Sequence, residues 1–139
     1  MQENENMRLT PATELEYRCK KLQDQMILTN LDAVIIVQNA DLFYFTGTVQ
    51  SGCLYLPASG QPLFLVRKDA GRARMESGLK EVIPCNSLRD IPARIADYGY
   101  PPPRNIAMEF DVLPCTVLER YRALFPGAQF SDEIGRAHV

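Results

Sequence analysis

Histidine is nearly absent from this sequence. Its 139 residues include one, His138, which stands beside the C-terminal residue. Nucleophilic and general-base catalysis most often depend on a histidine next to the reacting group, and catalytic zinc sites usually hold several. The scarcity therefore argues against a Ser-His-Asp or Cys-His pair and against a multi-histidine metal site. We interpret His138 as a solvated residue at the chain end.

Glycine-rich phosphate-binding motifs are also missing. Neither G-x-G-x-x-G nor G-x-x-x-x-G-K-[ST] occurs, and residues 38–41, which follow the first predicted strand, contain no glycine. Such loops need closely spaced glycines because their backbone N–H groups approach the phosphate. The sequence thus argues against dinucleotide, P-loop and flavodoxin-like flavin sites. The same segment lacks the acidic pair with which a response-regulator receiver holds magnesium.

An excess of one charge and long apolar runs are lacking as well. Lys and Arg number 15 and Asp and Glu 17, so the formal net charge is −2. Domains that bind nucleic acid are usually strongly basic. The apolar runs are only a few residues long, short of a membrane span, and residues 1–6 form no signal peptide. We expect a cytoplasmic protein that binds neither nucleic acid nor membrane.

The four cysteines show no metal-binding or redox spacing. They are Cys19, Cys53, Cys85 and Cys115, and no Cys-x-x-Cys pair occurs. Zinc ribbons and thioredoxin-type motifs are therefore excluded. Because each cysteine lies within or beside an apolar pattern, the sequence predicts free, buried thiols in a reducing compartment.

The remaining pattern predicts alternating helices and strands in one domain. Apolar residues recur from Leu15 to Met26 at spacings typical of one helix face, with Pro11 expected at the first helical position and Thr13 and Glu16 as a capping box. The β-branched run at 33–37 predicts a strand buried on both faces. The further predictions are a short helix at 42–47, a hairpin of strands 53–56 and 63–66, a helix at 69–77, a strand at 81–84, a helix capped by Asp90, a strand at 105–108, a helix at 114–125 and a strand at 128–131. This order indicates an α/β fold whose mixed sheet has helices on both faces.

Three clusters of carboxylate, basic and aromatic side chains are each given a structural rather than a functional interpretation. The carboxylates near strand ends are interpreted as turn and cap residues rather than a catalytic dyad: Asp32, Asp41, Glu109 and Asp111. The basic cluster is interpreted as a solvated helix face rather than a nucleic-acid site: Arg67, Lys68, Arg72 and Arg74. The aromatic run Phe43–Phe45 is expected to pack partly into the core and to hold the following loop at the surface.

The order of motifs resembles that of the creatinase/prolidase N-terminal domain. Asn39–Gly47, which ends in Tyr-Phe-Thr-Gly, resembles the family's N-hydrophobic-x-Y-[LF]-[TS]-G motif, and it lies between a predicted strand and a hairpin, as in the family. Asn105–Glu109 resembles the family's k-I-G-v-E strand, and Glu14, Leu15 and Arg18 match its E-L-x-x-R start. The sequence departs at Ala40-Asp41, where Glu-Asn is commoner, and at Ala107, where the family has glycine.

The resemblance implies a three-layer α/β/α fold with about six strands in a mixed sheet, the ribonuclease H-like arrangement, over residues 10–134. It implies a disordered polar tail at 1–9. It also implies a tail at 135–139 that is either the start of a linker or foreign to the protein. In this family a C-terminal pita-bread domain supplies two Asp, one His and two Glu as ligands for a pair of divalent metal ions (Mn, Co or Zn). That domain is absent here, as is the family's connector to it. The chain is therefore expected to hold no catalytic residue, metal or other cofactor.

The resemblance also implies a parent enzyme and its partners. The parent would be a proline-specific metallopeptidase, an Xaa-Pro aminopeptidase or Xaa-Pro dipeptidase, acting as a homodimer on proline-containing peptides. This domain would contact its own catalytic domain and a second copy, and would wall the active site. The substrate-pocket or dimer-loop candidates are Asn39, Tyr44, Gly47, Thr48, Val49, Gln50 and Ser51. Two alternatives remain: a creatinase-like amidinohydrolase, which an arginine in place of Gln50 would favour, and a peptide- or histone-binding module of the same fold.

Overall fold

The computed structural model describes residues 10–48, 51–68, 70–110 and 113–132. The expected tails at 1–9 and 135–139, and with them His138, lie outside the described residues, as do Asp69 and Asp111. The helices are α1 (Ala12–Leu28), α2 (Asn39–Thr46), α3 (Ala70–Glu76), α4 (Ile91–Asp97) and α5 (Cys115–Leu124), with a 3₁₀ turn at Leu88–Asp90. The strands are β1 (Ala33–Ile36), β2 (Gly52–Pro57), β3 (Leu63–Val66), β4 (Glu81–Pro84), β5 (Asn105–Ala107) and β6 (Gln129–Ser131).

The strands form one mixed sheet in the order β4-β3-β2-β1-β5-β6. β1 pairs antiparallel with β2 and parallel with β5, and the hairpin β2–β3 is antiparallel. The two outer strands each add in parallel, β4 to β3 and β6 to β5. The predicted α/β class, the mixed sheet of six strands and the hairpin are confirmed.

Each face of the sheet carries its own hydrophobic core. Val34 and Ile36 point into the core formed with α1, α2 and α3, whereas Ala33 and Ile35 point into the core formed with α4 and α5. All four residues of β1 are at most 2% exposed. The prediction of a strand buried on both faces is confirmed, because successive side chains of a strand point to opposite sides. Helices therefore cover the sheet on both sides.

The buried faces of the helices agree with prediction, but several of their first residues do not. The stripe of Leu15, Cys19, Leu22 and Met26 is buried as expected. The predicted start of α1 is wrong, because Pro11 is the N-cap itself, with ψ of 148°, and no side chain caps the helix. A proline in that extended conformation moves Thr13 into the first turn, so the expected capping box does not form.

Two further starts differ from prediction. α2 begins at Asn39, three residues earlier than expected, because the Gln38 side chain accepts a hydrogen bond from the Ala40 N–H. Asp90 occupies the N-cap position of α4 but its side chain makes no capping bond. The Ser87 hydroxyl instead accepts from the Arg89 N–H and starts a 3₁₀ turn that leads into α4.

The cysteines are all free, but one is not buried. Cys19, Cys53 and Cys85 are buried and Cys115 is exposed, so the prediction of buried thiols is wrong for Cys115. It is the first residue of α5, where the side chain can point to solvent. Burial, with a small contribution from Glu16, raises the pKa of Cys19 to about 12. Burial also raises the pKa of Cys53 to about 12, partly offset by a hydrogen bond with Tyr121.

We therefore expect one fast-reacting thiol in the folded protein. Thiolates are the reactive form, and at pH 8 the buried Cys19 and Cys53 remain protonated as well as covered. On titration with a chromogenic disulfide, the folded protein should release the coloured thiol rapidly from reaction at Cys115 alone. In urea, all four cysteines should react rapidly. Cys115→Ser should abolish the rapid phase; a rapid phase that survives this change would contradict the assignment.

Gly52, the first residue of β2, has the least room for a side chain. Its φ is +152°, and a Cβ there would lie 1.9 Å from the carbonyl oxygen of Leu65 on β3. Gly52→Ala should therefore cost at least about 3 kcal/mol of unfolding free energy in urea, since the clash is with backbone. The matched control is Gly71→Ala in α3, where no atom lies within 4 Å, and which should stabilise by up to about 1 kcal/mol. Equal effects of the two substitutions would contradict the role given to Gly52.

Candidate functional site

The loop after α2 leads into β2 at the edge of the sheet where β1 ends. β5 runs parallel to β1, and β6 parallel to β5, so all three strands end at this edge. Open α/β sheets commonly bind ligands at the carboxyl ends of their strands. α2 is capped at its C-terminus by Gly47, whose φ of +82° is left-handed and whose N–H donates to the carbonyl oxygen of Phe43. Glycine adopts this conformation without strain, so the chain turns sharply into the loop.

Buried hydroxyl groups fix the first residues of this loop. The Thr46 hydroxyl donates to the carbonyl oxygen of Leu42 at 2.6 Å and accepts from the Thr48 N–H at 3.3 Å. The Thr48 hydroxyl donates to Glu76 Oε1 at 2.5 Å. Thr46 and Thr48 are 0% and 3% exposed, so the bonds of Thr46 form away from water, whereas the bond from Thr48 to Glu76 is partly buried. The loop therefore starts from a rigid base rather than from a free hinge.

The end of α3 supplies the other half of this base. The Ser77 hydroxyl donates to the carbonyl oxygen of Thr46 at 2.5 Å and accepts from the Leu79 N–H at 3.2 Å. Glu76, which receives the Thr48 hydroxyl, is held by Arg72 Nε at 2.9 Å. A Cβ at Gly78 would lie 2.9 Å from Cα of Ala12, so α1 also starts at this point. Three helix ends thus meet where the loop begins.

An exposed aromatic ring and a cation lie beside the loop base. Arg18 on α1 donates from Nη1 to the carbonyl oxygen of Tyr44 at 2.6 Å, and its guanidinium lies 4.2 Å from the Tyr44 ring centroid. Glu14 Oε2 accepts from Arg18 Nε at 3.0 Å and fixes the guanidinium. Tyr44 is 43% exposed and packs edge-on against the buried Phe45. The expectation that this aromatic run lies partly in the core is confirmed.

The structure separates the sequence-predicted site residues into three groups. Tyr44, Gly47 and Thr48 share one corner with Arg18, and the carbonyl oxygen of Ser51 accepts from the Arg67 N–H at 2.7 Å at the start of the hairpin. Asn39 is exposed at the other end of α2, about 10 Å away for an eight-residue helix. Val49 and Gln50 lie outside the described residues.

Sequence reasoning missed Glu76 and Ser77 as supports of the loop. The Arg72-x-x-x-Glu76 spacing was a readable signal for an ion pair on a helix. Nothing in the sequence indicates that Glu76 would also meet Thr48, 28 residues earlier.

The described carboxylates do not form a metal centre. Asp32 Oδ2 accepts from the N–H groups of Arg104 and Asn105 at 2.8 and 2.9 Å, which agrees with the turn interpretation. Across residues 10–48, 51–68, 70–110 and 113–132, no three His, Cys, Asp or Glu side chains form a group that could hold a metal ion. The described residues thus offer no set of ligands for the pair of divalent ions that the resemblance implies. In those same ranges, none of the helices has the length and apolar character needed to cross a membrane.

Comparison with protein-family models identifies the class of this α/β domain. Residues 18–133 match the Creatinase/Prolidase N-terminal domain. The chain belongs to this family, which confirms the resemblance found in the sequence. A sequence comparison with curated proteins gives no match.

Solved structures share the fold at low sequence identity. The N-terminal domain of an X-Pro dipeptidase from Streptococcus pyogenes is 16% identical, with a TM-score of 0.74 over 86% of this chain and 95% of that one. A proline dipeptidase from Streptococcus pneumoniae is 21% identical, with a TM-score of 0.67 over 85% and 92%. A prolidase from Pyrococcus furiosus is 18% identical, with a TM-score of 0.69, but this chain covers 35% of it against 84% of itself. The match thus extends over most of the shorter structures and about a third of the longer one.

Removing the Ser77 hydroxyl should loosen the loop base. Ser77→Ala leaves the carbonyl oxygen of Thr46 and the N–H of Leu79 without this partner in a buried position, which should cost about 1–3 kcal/mol in urea unfolding. Amide exchange at Thr48 should also accelerate. The control Ser59→Ala, at an exposed turn position, should stay within about 0.5 kcal/mol of the parent. Unchanged stability and exchange in Ser77→Ala would refute the anchoring role.

Proposed function

We propose that this chain is the non-catalytic N-terminal domain of a proline-specific metallopeptidase, an Xaa-Pro aminopeptidase or Xaa-Pro dipeptidase. The family match over residues 18–133 carries the proposal. The alignment with solved structures supports the proposal. This chain covers nearly all of the isolated dipeptidase domain from Streptococcus pyogenes but only about a third of the prolidase from Pyrococcus furiosus.

In this proposal the chemistry resides in a C-terminal catalytic domain. A pair of Mn, Co or Zn ions held there would activate the water that attacks the bond before proline. The described residues of this chain form no such ligand group, so no step of the reaction is assigned to them. The proposed location is the cytoplasm, where the structurally similar peptidase PepQ from Mycobacterium tuberculosis is also placed.

The contribution of this domain is to wall the active site and to help form a homodimer. The loop that begins at Gly47 and Thr48 is the proposed contact with the catalytic domain or with the second copy. Its rigid base supports this role, because a wall held by buried hydrogen bonds loses little conformational freedom on contact. Tyr44, held in place by Arg18, offers an aromatic ring that is 43% exposed. Such a ring suits contact with a proline side chain.

The isolated chain tests the non-catalytic assignment. Incubation with Xaa-Pro dipeptides and Xaa-Pro-Pro tripeptides, with Mn²⁺ or Co²⁺ added, should release neither proline nor the N-terminal residue. Turnover that co-purifies with this chain would contradict the proposal. The coding sequence downstream of residue 134 should encode two Asp, one His and two Glu as metal ligands, and their absence would remove the peptidase assignment.

Two exposed tyrosines provide a matched test of the active-site wall in the full-length enzyme. Tyr44→Ala should raise KM for Xaa-Pro substrates by about tenfold, roughly the loss expected for one aromatic contact. Tyr98 at the end of α4 has almost the same exposure, 42% against 43%, but lies on the other side of the sheet. Tyr98→Ala should leave KM unchanged. Equal KM values for the two variants would count against the proposed wall.

A further inference from the structure

A groove on the other side of the sheet is lined by arginines. Its wall is formed by Arg67 at the end of β3, by the segment Asn86–Arg89 and by Arg120, Ala123 and Leu124 of α5. Its volume is about 410 Å³, within the range of small-molecule sites. It lies beside α4 and α5, whereas the loop base lies with α1, α2 and α3.

The three arginines of this groove, Arg67, Arg89 and Arg120, have no ion-pair partner in the part of the chain that the structure describes. None of the described residues that line the groove is Asp or Glu, although the exposed Asp90 follows Arg89 in sequence and the exposed Glu119 precedes Arg120. Elsewhere the helices supply acidic partners three or four residues away for four other arginines, namely Arg18, Arg72, Arg94 and Arg122. Three guanidinium groups without an ion pair among the described residues thus line one groove of a protein whose net charge is −2.

The segment between two of these arginines has a fixed shape. The Cys85 thiol donates to the carbonyl oxygen of Ser87 at 3.3 Å, and the Ser87 hydroxyl accepts from the Arg89 N–H at 3.3 Å. The exposed Asn86 adds an amide that can donate hydrogen bonds. Leu88, Ala123 and Leu124 contribute apolar surface between the charged groups. The groove is therefore lined by three cationic side chains together with apolar surface.

We propose that this groove binds a phosphate monoester with a compact apolar body. Guanidinium groups bind phosphate oxygens in bidentate fashion, and the three arginines that line this groove can together neutralise a dianionic phosphate group. The apolar residues would contact the esterified part. A nucleic acid fits less well, because the chain as a whole is acidic. The proposal is independent of the peptidase assignment.

Calorimetry and amide NMR with phenyl phosphate test the proposal on the full chain. We expect a dissociation constant below about 1 mM at low salt, and shift changes centred on residues 86–89. Inorganic phosphate should compete at the same residues and bind more weakly, because it lacks the apolar body. Added salt should weaken binding, since the charges are exposed.

Arginine substitutions separate a site from general attraction. Arg89→Gln and Arg120→Gln should each weaken phenyl phosphate binding by about tenfold, because each removes charged hydrogen bonds. Arg104→Gln is the matched control, since Arg104 is also exposed and without an ion pair among the described residues but lies outside the groove. It should leave the dissociation constant unchanged. All three arginines are exposed, so thermal unfolding should confirm that each variant folds.

The outcomes that would overturn the proposal are distinct. An equal loss of binding in Arg104→Gln, or shift changes spread over the surface, would show unspecific attraction. Tighter binding of a Glu-rich peptide than of phenyl phosphate at residues 86–89 would assign the groove to an acidic protein segment instead. Binding to phosphatidic acid vesicles but not to glycerol 3-phosphate would support the proposal with a lipid headgroup as the source of the monoester. The reverse result would support a free metabolite.

Discussion

The burial of β1 on both faces is the constraint on which the rest of the structure depends. Four consecutive residues with almost no exposure must find cover on two sides, so helices are required above and below the sheet. The alternation of Ala33 and Ile35 with Val34 and Ile36 then divides the interior into two separate cores. A slip of one residue in the β1–β2 register would exchange these cores, which the different helices on the two faces could not accommodate. The strand end, and with it the position of α2 and its loop, follows from this register.

Asp32, at the start of β1, links this strand to both of its neighbours, β2 and β5. Its carboxylate accepts from the N–H groups of Arg104 and Asn105, its own N–H donates to the carbonyl oxygen of Asn105, and its carbonyl oxygen accepts from the Ala58 N–H. One residue therefore fixes the entry into parallel β5 and the exit from antiparallel β2. Parallel strands have no tight turn to set their register, so such a side-chain link is useful where the proline-rich segment at 101–103 leads into β5. A carboxylate used in this way is occupied by backbone groups, which is why its position at a strand end does not make it a catalytic residue.

The sequence predicts what is local and misses what joins distant segments. The helical stripe from Leu15 to Met26, the β-branched run and the hairpin each lie within a short window, and each is confirmed. The helix starts depend on single hydrogen bonds and backbone angles, such as the Gln38 side chain on the Ala40 N–H, for which glutamine is not a typical signal. The loop base joins Thr46 and Thr48 to Glu76 and Ser77, and its shape depends on the sheet having already formed. The motif could thus be recognised, but its anchoring could not.

The two faces of the molecule differ in how they treat charge. Around the loop base, Arg18 pairs with Glu14 and donates to the carbonyl oxygen of Tyr44. Arg72 pairs with Glu76, which in turn accepts from the Thr48 hydroxyl, so the charge of both arginines is balanced within the fold. In the groove between β3 and α5, three arginines lie without such partners among the described residues. Of the basic cluster predicted at residues 67–74, Arg67 alone lines this groove, whereas Arg72 pairs with Glu76. Like charges that converge on one groove repel each other, so this arrangement contributes nothing favourable to folding. Four other arginines of the described residues, Arg18, Arg72, Arg94 and Arg122, have an acidic partner three or four residues away, whereas Arg104, like the three arginines of the groove, has none. What sets the groove apart is that three such arginines line one surface, where an anion from outside the chain would offset their mutual repulsion.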